Sequence, residues 1–397
     1  MSDAAAALVR PRPVVRAWPL YVGGFLGPYA STMVTPMVHE VAHGLRSTPE
    51  LAAGAVTAYM LPFAALMLVS GTLAERWGRA RTMRVSLLLF VLACAACVLA
   101  PSMGAFLAAR AAQGATNAFT TPLLVAAITD LVPRARLGRA LGLFAGMQAA
   151  GQASSPLVSG PAAAVDWRLA FAFPAAVGLA LALFPPTMTA PAADGRAHPA
   201  RPPSLRELAN RDLATACALS LLCYLGAVGL TVLSILRAEE EFGLGPWQRG
   251  LLAAAFGVAG LLAAPLLGRR LDALGPRHTG ITMNLLLAAG LLLAALGPSL
   301  ALLAVGIAAV GIAVTGLRTT VNAVAATSAS GNRAGAASLA LSFQFFGGAL
   351  APLLWVPLYA AYGALGFAAT ATAPTLAIAV LAVARPGKGG LTGLRGA

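Results

Sequence analysis

Two short charged segments recur in an otherwise apolar chain, and their side chains have the types and spacing to form ion pairs between helices. Each segment holds a Gly, an acidic residue four positions later and a second Gly three positions further on: Gly71, Glu75 and Gly78 in the first, and Gly268, Asp272 and Gly275 in the second. The copies lie 197 residues apart, and the first also carries Arg76 and Arg79. A charged turn placed once in each half of the chain predicts two homologous helical bundles.

Two arginines fall inside apolar segments, where a cation costs a few kcal/mol and normally faces a wet cavity. Each shares its helix face with polar or small residues three to four positions away: Arg110 with Gln113, Gly114 and Asn117, and Arg318 with Thr315 and Asn322. Arg110 also lies near enough to the end of its helix to snorkel to the headgroups. Two membrane cations predict a cavity that disfavours cationic substrates and favours neutral or anionic ones.

The 13 acidic residues all fall in loops or near helix ends, so the sequence contains no carboxylate at the middle of a helix. Glu40, with His39 beside it at the end of the first apolar segment, is the candidate for proton coupling, together with Glu50 at the start of the second. The alternative for Glu40 is a solvated carboxylate at a helix end.

Six polar side chains in apolar segments are candidates for substrate contact, or for hydrogen bonds between helices: Tyr29, Tyr59, Gln148, Gln152, Tyr224 and Gln344. In an otherwise apolar cavity, such groups suit an amphiphilic organic molecule.

The elements that must position these residues are membrane helices. The chain is 59% hydrophobic and only 10% charged, against about 25% charged in soluble domains. Because a helix needs about 20 apolar residues to cross a bilayer, twelve spans are predicted: 18–39, 51–72, 83–101, 103–129, 137–161, 168–186, 213–236, 248–268, 279–297, 299–328, 335–357 and 362–384. These spans divide the chain into an N-terminal bundle (1–186), a Pro- and Ala-rich linker (187–212) and a C-terminal bundle (213–397).

The 27 Lys and Arg residues concentrate in alternate loops, which places both termini in the cytoplasm. The net charge of +14 follows this loop pattern, and no basic face with interleaved aromatic residues indicates nucleic-acid binding. The four Cys lie in apolar segments and the four His are scattered, so no metal site is expected. The apolar run after Arg16 is too long for a signal-peptide core and predicts a retained first helix.

At the first charged turn the chain resembles the major facilitator superfamily, and the resemblance extends over essentially its whole length. Residues 71–81 are similar to the family's loop Gly-x-Leu-Ala-Asp-Arg-x-Gly-Arg-Lys/Arg, with Glu75 in place of Asp and Ala80 in place of a basic residue. The resemblance implies a cytoplasmic latch in which Arg79 pairs with Asp130. It also implies that Glu75 reaches toward Arg333 at the start of the eleventh helix.

Two further segments carry the resemblance. Residues 110–114 are similar to the family's Arg-x-x-Gln-Gly motif on helix 4. Helix 5 resembles the Gly-x-x-x-Gly-Pro-x-x-Gly-Gly signature of drug:proton antiporters at Gly151, Ser155, Pro156, Ser159 and Gly160. The small residues permit close helix packing and the proline kinks the helix, as a rocking interface requires.

The sequence therefore predicts an all-α integral membrane protein with twelve helices in two pseudo-symmetric bundles, monomeric and without a cofactor, in the cell (inner) membrane. We expect proton-linked efflux of a neutral or anionic amphiphile by alternating access. The alternative is uptake or exchange of an organic anion. A receptor without transport activity and a membrane enzyme are less well supported, because no folded soluble domain and no acid or His cluster is evident.

Overall fold

The computed structural model describes residues 18–132, 134–186, 211–328 and 333–383, and its regular structure there is entirely helical. Twelve helices follow one another in these described ranges. They are α1 (Trp18–Thr32 and Val38–Gly44), α2 (Pro49–Trp77), α3 (Arg79–Leu99), α4 (Met103–Asn117 and Thr120–Leu131), α5 (Arg134–Val165), α6 (Ala172–Leu183, after the 3-10 turn Trp167–Phe171), α7 (Arg211–Glu240), α8 (Pro246–Leu271), α9 (Ala273–Leu296), α10 (Leu300–Ser328), α11 (Arg333–Tyr362) and α12 (Ala364–Ala368 and Thr372–Val383).

Eight helices in the described part of the chain, α2, α3 and α7 to α12, are long and apolar enough to cross a membrane. The breaks in α1 and α4 have a local cause, because proline has no N–H to donate to the carbonyl four residues earlier. Pro36 has no N–H to donate to the Thr32 carbonyl where the first part of α1 ends, and Pro122 has none for the Ala118 carbonyl at the break in α4. The predicted linker lies outside the described residues up to Arg211, where α7 begins.

The two halves repeat the same helix crossings. A Cβ added at Gly114 would lie 2.0 Å from the carbonyl oxygen of Tyr59, and one added at Gly311 would lie 2.0 Å from that of Phe256. Both members of the second pair stand 197 positions after those of the first. In the same way, a Cβ added at Gly151 would lie 2.3 Å from the Phe25 carbonyl oxygen. One added at Gly347 would lie 2.1 Å from the Leu221 carbonyl oxygen.

The charged turns repeat as well. Gly78 and Gly275 adopt φ angles of +87° and +75°, a conformation that favours glycine. The helices α1–α6 and α7–α12 are therefore two copies of one six-helix bundle.

The bundles meet along two helix pairs, α2 with α11 and α5 with α8. Glycine makes the second contact close: a Cβ added at Gly250 would lie 2.4 Å from the Pro156 carbonyl oxygen, and one at Gly257 would lie 2.6 Å from the Ala153 Cα. In the first pair, Thr57 Oγ1 donates to the Ala349 carbonyl at 2.7 Å.

Candidate functional site

A cavity lies between the two bundles, and about 640 Å³ of space free of protein atoms, which includes its opening to solvent, surrounds it. Aromatic and sulfur side chains from both bundles make most of its wall apolar: Met60, Phe63, Phe256 and Phe345. Its polar lining includes five of the side chains singled out from the sequence: Gln148, Gln152, Tyr224, Arg318 and Gln344. Among the described residues that line the cavity, Arg318 is the one charged side chain.

Arg318 connects the two walls of this cavity. It lies on α10, and its Nη1 donates to Gln152 Oε1 of α5 at 3.4 Å, a long contact. Tyr224 of α7 lies close enough to Arg318 and Gln152 to interact with both. A cation flanked by neutral hydrogen-bonding groups in an apolar chamber can bind an anionic or strongly accepting group.

Three residues expected in the cavity lie elsewhere. Tyr59 packs inside the N-terminal bundle, where its hydroxyl donates to the Gly27 carbonyl at 3.3 Å and accepts from Asn117 Nδ2 at 2.6 Å. Tyr29 is fully buried among the rings of α1 and α6. Asn322 is exposed beyond the cavity wall. Tyr29 and Tyr59 thus pack between helices of one bundle instead of lining the central chamber.

The expected cavity position of Arg110 is corrected by the structure. Its side chain has 0% exposure and lies between α1, α2 and α4. It donates to the Ala30 carbonyl at 3.0 Å, to the Ala55 carbonyl at 3.4 Å, and to the Gln113 side-chain oxygen. Its guanidinium also lies 4.6 Å from the centre of the Tyr59 ring. Carbonyl oxygens and a ring face therefore take the place of water, and in the described part of the chain no carboxylate contacts it.

The helix 5 motif serves two interfaces at once. Toward α1, Ser155 Oγ donates to the Tyr29 carbonyl at 2.8 Å. Within α5, Ser159 Oγ donates to the Ser155 carbonyl at 2.8 Å. Toward α8, a Cβ at Gly160 would lie 2.9 Å from the Gly250 Cα. Small residues here let α5 pack tightly in its own bundle and against the other one.

The first charged turn places Arg79 between two carboxylates. Arg79 Nη1 donates to Asp130 Oδ2 at 2.5 Å, and its Nε donates to Glu75 Oε1 at 2.6 Å. These contacts join α2, α3 and α4 within one bundle. Arg76 is exposed, and a Cβ at Gly71 would meet open space, so Gly71 does not lie at a close helix contact.

The side chains of Asp272 and Arg333 lie outside the described part of the chain, and the Glu75–Arg333 pair stays a prediction.

At the opposite end of the molecule the structure shows a cluster that the sequence did not reveal. Arg249 is 1% exposed in the first turn of α8. It forms ion pairs with Glu40 and with Glu239, and its Nη1 lies 2.7 Å from His39 Nδ1. Glu40 and Arg249 are 209 positions apart, and no spacing rule connects two such residues.

Both halves of the chain match known proteins. Two overlapping parts of the chain, residues 20–248 and 216–395, match the family model described as Major Facilitator Superfamily. A solved structure of a bacterial homolog to the human lysosomal transporter Spinster, inward-facing and unoccupied, superposes with a TM-score of 0.72. It has 16% identity and covers 92% of this chain and 95% of that one. At this identity the superposition shows the fold.

Curated relatives share parts of the sequence. The uncharacterized MFS-type transporter EfpA of Mycobacterium tuberculosis is 29% identical over 163 residues, which is 40% of this chain and 31% of EfpA. The chain therefore spans less than a third of that relative. A chloramphenicol efflux pump of Mycobacterium tuberculosis is 28% identical over 292 residues, which is 72% of this chain and 70% of the pump.

Proposed function

Since the chain belongs to the major facilitator superfamily, a family of multi-pass membrane transporters, we propose that it exports a neutral or anionic amphiphilic small molecule in exchange for protons. The observation that carries this proposal is the central cavity, which both bundles line with apolar rings and in which Arg318 is the one cation among the described lining residues. A lining carboxylate would favour cations, and the described lining offers none.

The direction of transport rests on two further observations. One relative that spans most of the chain is named as an efflux pump. The similarly folded structure is inward-facing, which supports assigning the end that holds Arg249 to the outer side of the cell (inner) membrane. The charged turn at 71–79 and both termini then lie in the cytoplasm, in agreement with the distribution of Arg in the loops.

The cycle follows from this arrangement. Substrate enters the cavity from the cytoplasmic side, with its polar group near Arg318 and Gln152 and its apolar part against Phe63 and Phe345. The two bundles then rock about the α2–α11 and α5–α8 contacts and open the cavity at the end that holds Arg249.

The test uses inverted vesicles with an inside-acid gradient, a pH-sensitive dye, and a panel of cationic, neutral and anionic amphiphiles. Proton release on addition of compounds supports antiport. Arg318→Gln should raise the half-saturating concentration of an anionic substrate about tenfold, and that of a neutral one by about twofold or less, because only the anion loses a Coulomb attraction.

Arg211→Gln is the matched control, since it removes an exposed arginine of the same bundle outside the cavity. Equal losses for the two substrate classes would contradict charge selection by Arg318.

Uptake or exchange of an organic anion is the second candidate, favoured by the same position of Arg318. It predicts silence in the inverted vesicles, together with accumulation of a labelled anion in intact cells.

A further inference from the structure

The guanidinium of Arg318 in the central cavity has more hydrogen-bond donors than partners. It carries several N–H groups, and among the described residues its one hydrogen bond is the contact from Nη1 to Gln152 Oε1 at 3.4 Å. A bidentate arginine–carboxylate pair has two parallel bonds of about 2.7–2.9 Å. The single long contact to a neutral amide is weak by comparison, so most of the binding capacity of Arg318 is left for a ligand.

The Gln152 amide oxygen stands where an anionic oxygen of a ligand would bind. Gln152 lies on α5 of the N-terminal bundle, and Tyr224 on α7 is its hydrogen-bonding neighbour beside Arg318. An amide and a phenol are both neutral, and no carboxylate occurs among the described residues that line the cavity. An anion that displaces the Gln152 oxygen therefore gains a charged partner and meets no like charge.

The single cation also limits the charge and shape of the ligand. A monoanion makes the pair with Arg318 neutral, whereas a dianion leaves one negative charge uncompensated against a mostly apolar wall, which is costly. The two oxygens of a carboxylate lie in one plane and match the planar fork of a guanidinium. These two properties favour a monocarboxylate over a phosphate ester.

The apolar wall of the cavity is built from rings. Phe63 of α2 and Phe345 of α11 lie with their ring centroids 4.4 Å apart at an angle of 56°, and Phe256 of α8 lines the same space. Aromatic rings stack or meet edge to face, and the sulfur of Met60 on this wall also favours aromatic partners. A flat aromatic body fits such a wall better than a saturated ring of the same size.

We propose that the central cavity binds an aromatic monocarboxylate, whose carboxylate replaces the Gln152 amide oxygen on Arg318 while its ring packs against Phe63 and Phe345. The inference rests on the proposed function, because it takes this cavity as the site of the exported substrate and narrows that substrate to one chemical class. Gln152 is then a specificity-determining residue, since its amide oxygen holds the guanidinium only until a carboxylate takes its place.

The experiment measures equilibrium binding to the full chain in nanodiscs at pH 7.5, without a proton gradient. Radiolabelled 2-naphthoate is the probe, and empty nanodiscs correct for its partition into lipid. Two unlabelled competitors separate the contributions: 2-naphthamide has the same ring without the charge, and decahydro-2-naphthoate has the charge on a saturated ring. Thermal unfolding verifies that each variant is folded.

For the wild type we expect 2-naphthoate to bind about tenfold more tightly than 2-naphthamide, because only the anion pairs with Arg318. It should bind about threefold more tightly than the saturated carboxylate, because only the flat ring can stack. Arg318→Gln should remove the preference for naphthoate over naphthamide.

Gln152→Met tests the role of the amide oxygen. This variant no longer occupies the guanidinium and leaves the Tyr224 hydroxyl free to donate to the ligand, so the Kd of naphthoate should fall about threefold while that of naphthamide stays unchanged. Gln148→Met is the matched control, since Gln148 lines the same cavity one turn earlier on α5 and makes no hydrogen bond to Arg318 among the described residues. It should leave both Kd values unchanged.

Two results would overturn the proposal: a wild type that binds naphthoate no better than naphthamide, or a Gln152→Met variant that binds naphthoate no better than the wild type. If Arg318→Gln does not fold, Gln152→Met still decides the question. Binding as described without proton-linked export would refute the proposed function alone. Proton-linked export of amphiphiles without a preference for the carboxylate in binding would refute this inference alone.

Discussion

The two bundles use the same backbone crossing with opposite chemistry. In the N-terminal bundle, α4 presses against α2 at Gly114 and Tyr59, and Arg110, Gln113 and Asn117 form a buried polar network on that face. In the C-terminal bundle, α10 presses against α8 equally closely at Gly311 and Phe256. The residues 197 positions after the polar three are Ile307, Val310 and Val314, all nearly fully buried.

The difference shows which features the repeat requires. Glycine at the crossing is common to both copies, so close backbone approach is the property that defines the fold. The polar network is present in one copy only, and apolar packing closes the other crossing equally well. Among the described lining residues a cation likewise occurs once: Thr121 and Arg318 stand at equivalent positions and both line the cavity, and the charge lies on the C-terminal wall.

The largest expected effect comes from making the N-terminal crossing resemble the C-terminal one. Arg110→Met should abolish transport while changing the free energy of unfolding by about 1 kcal/mol or less, because a buried cation without a carboxylate partner adds little net stability. Flux assays and thermal unfolding in detergent measure the two effects.

Ile307→Met is the matched control at the equivalent position of α10, and it should leave both flux and stability near those of the wild type. A large loss of stability in Arg110→Met would show instead that the network holds the bundle together.

A smaller effect should appear equally in both bundles when the shared glycines change. Gly114→Ala and Gly311→Ala each place a Cβ about 2 Å from a backbone oxygen that cannot move aside, which should cost about 3 kcal/mol. Thermal unfolding checks the cost.

The control is Gly104→Ala on α4, where the added Cβ meets open space. Unequal losses at Gly114 and Gly311 would mean that the two crossings are not energetically equivalent.

The smallest effect concerns the latch. Asp130→Asn removes one of two partners of Arg79 and leaves Glu75 in place, so the stability change should be about 1 kcal/mol or less for these partly exposed groups. Transport should fall several-fold at normal surface expression. Flux equal to that of the wild type would remove the latch from the cycle.

Much of the fold could be predicted because it depends on local patterns. Long apolar segments predict helices, and the spacing of Gly71, Glu75 and Gly78 recurs at a fixed offset that the backbone conformations of Gly78 and Gly275 repeat. The polar stripe on α4 is also a local property, since residues three to four apart share a helix face.

The helices that pack against a given face could not be predicted, because helical periodicity tells which residues share a face but not which helix covers it. Arg110 was expected in water and lies against carbonyl oxygens of α1 and α2. Arg249 stands at the start of a predicted span, and its burial depends on carboxylates contributed by α1 and α7. Only the tertiary arrangement brings such distant residues together.

The close packing of α5 on α8 has a mechanical consequence. At the Gly160–Gly250 and Ala153–Gly257 contacts the two helices meet backbone against backbone. Such a contact can act as a fulcrum, and the remainder of α5 down to Arg134 is a lever arm of about 28 Å at 1.5 Å per residue. A rotation of about 10° at the fulcrum moves the far end of that arm by about 5 Å, close to the pitch of one helical turn. A small angular change where the bundles touch is thereby amplified into a wide aperture at the distant mouth.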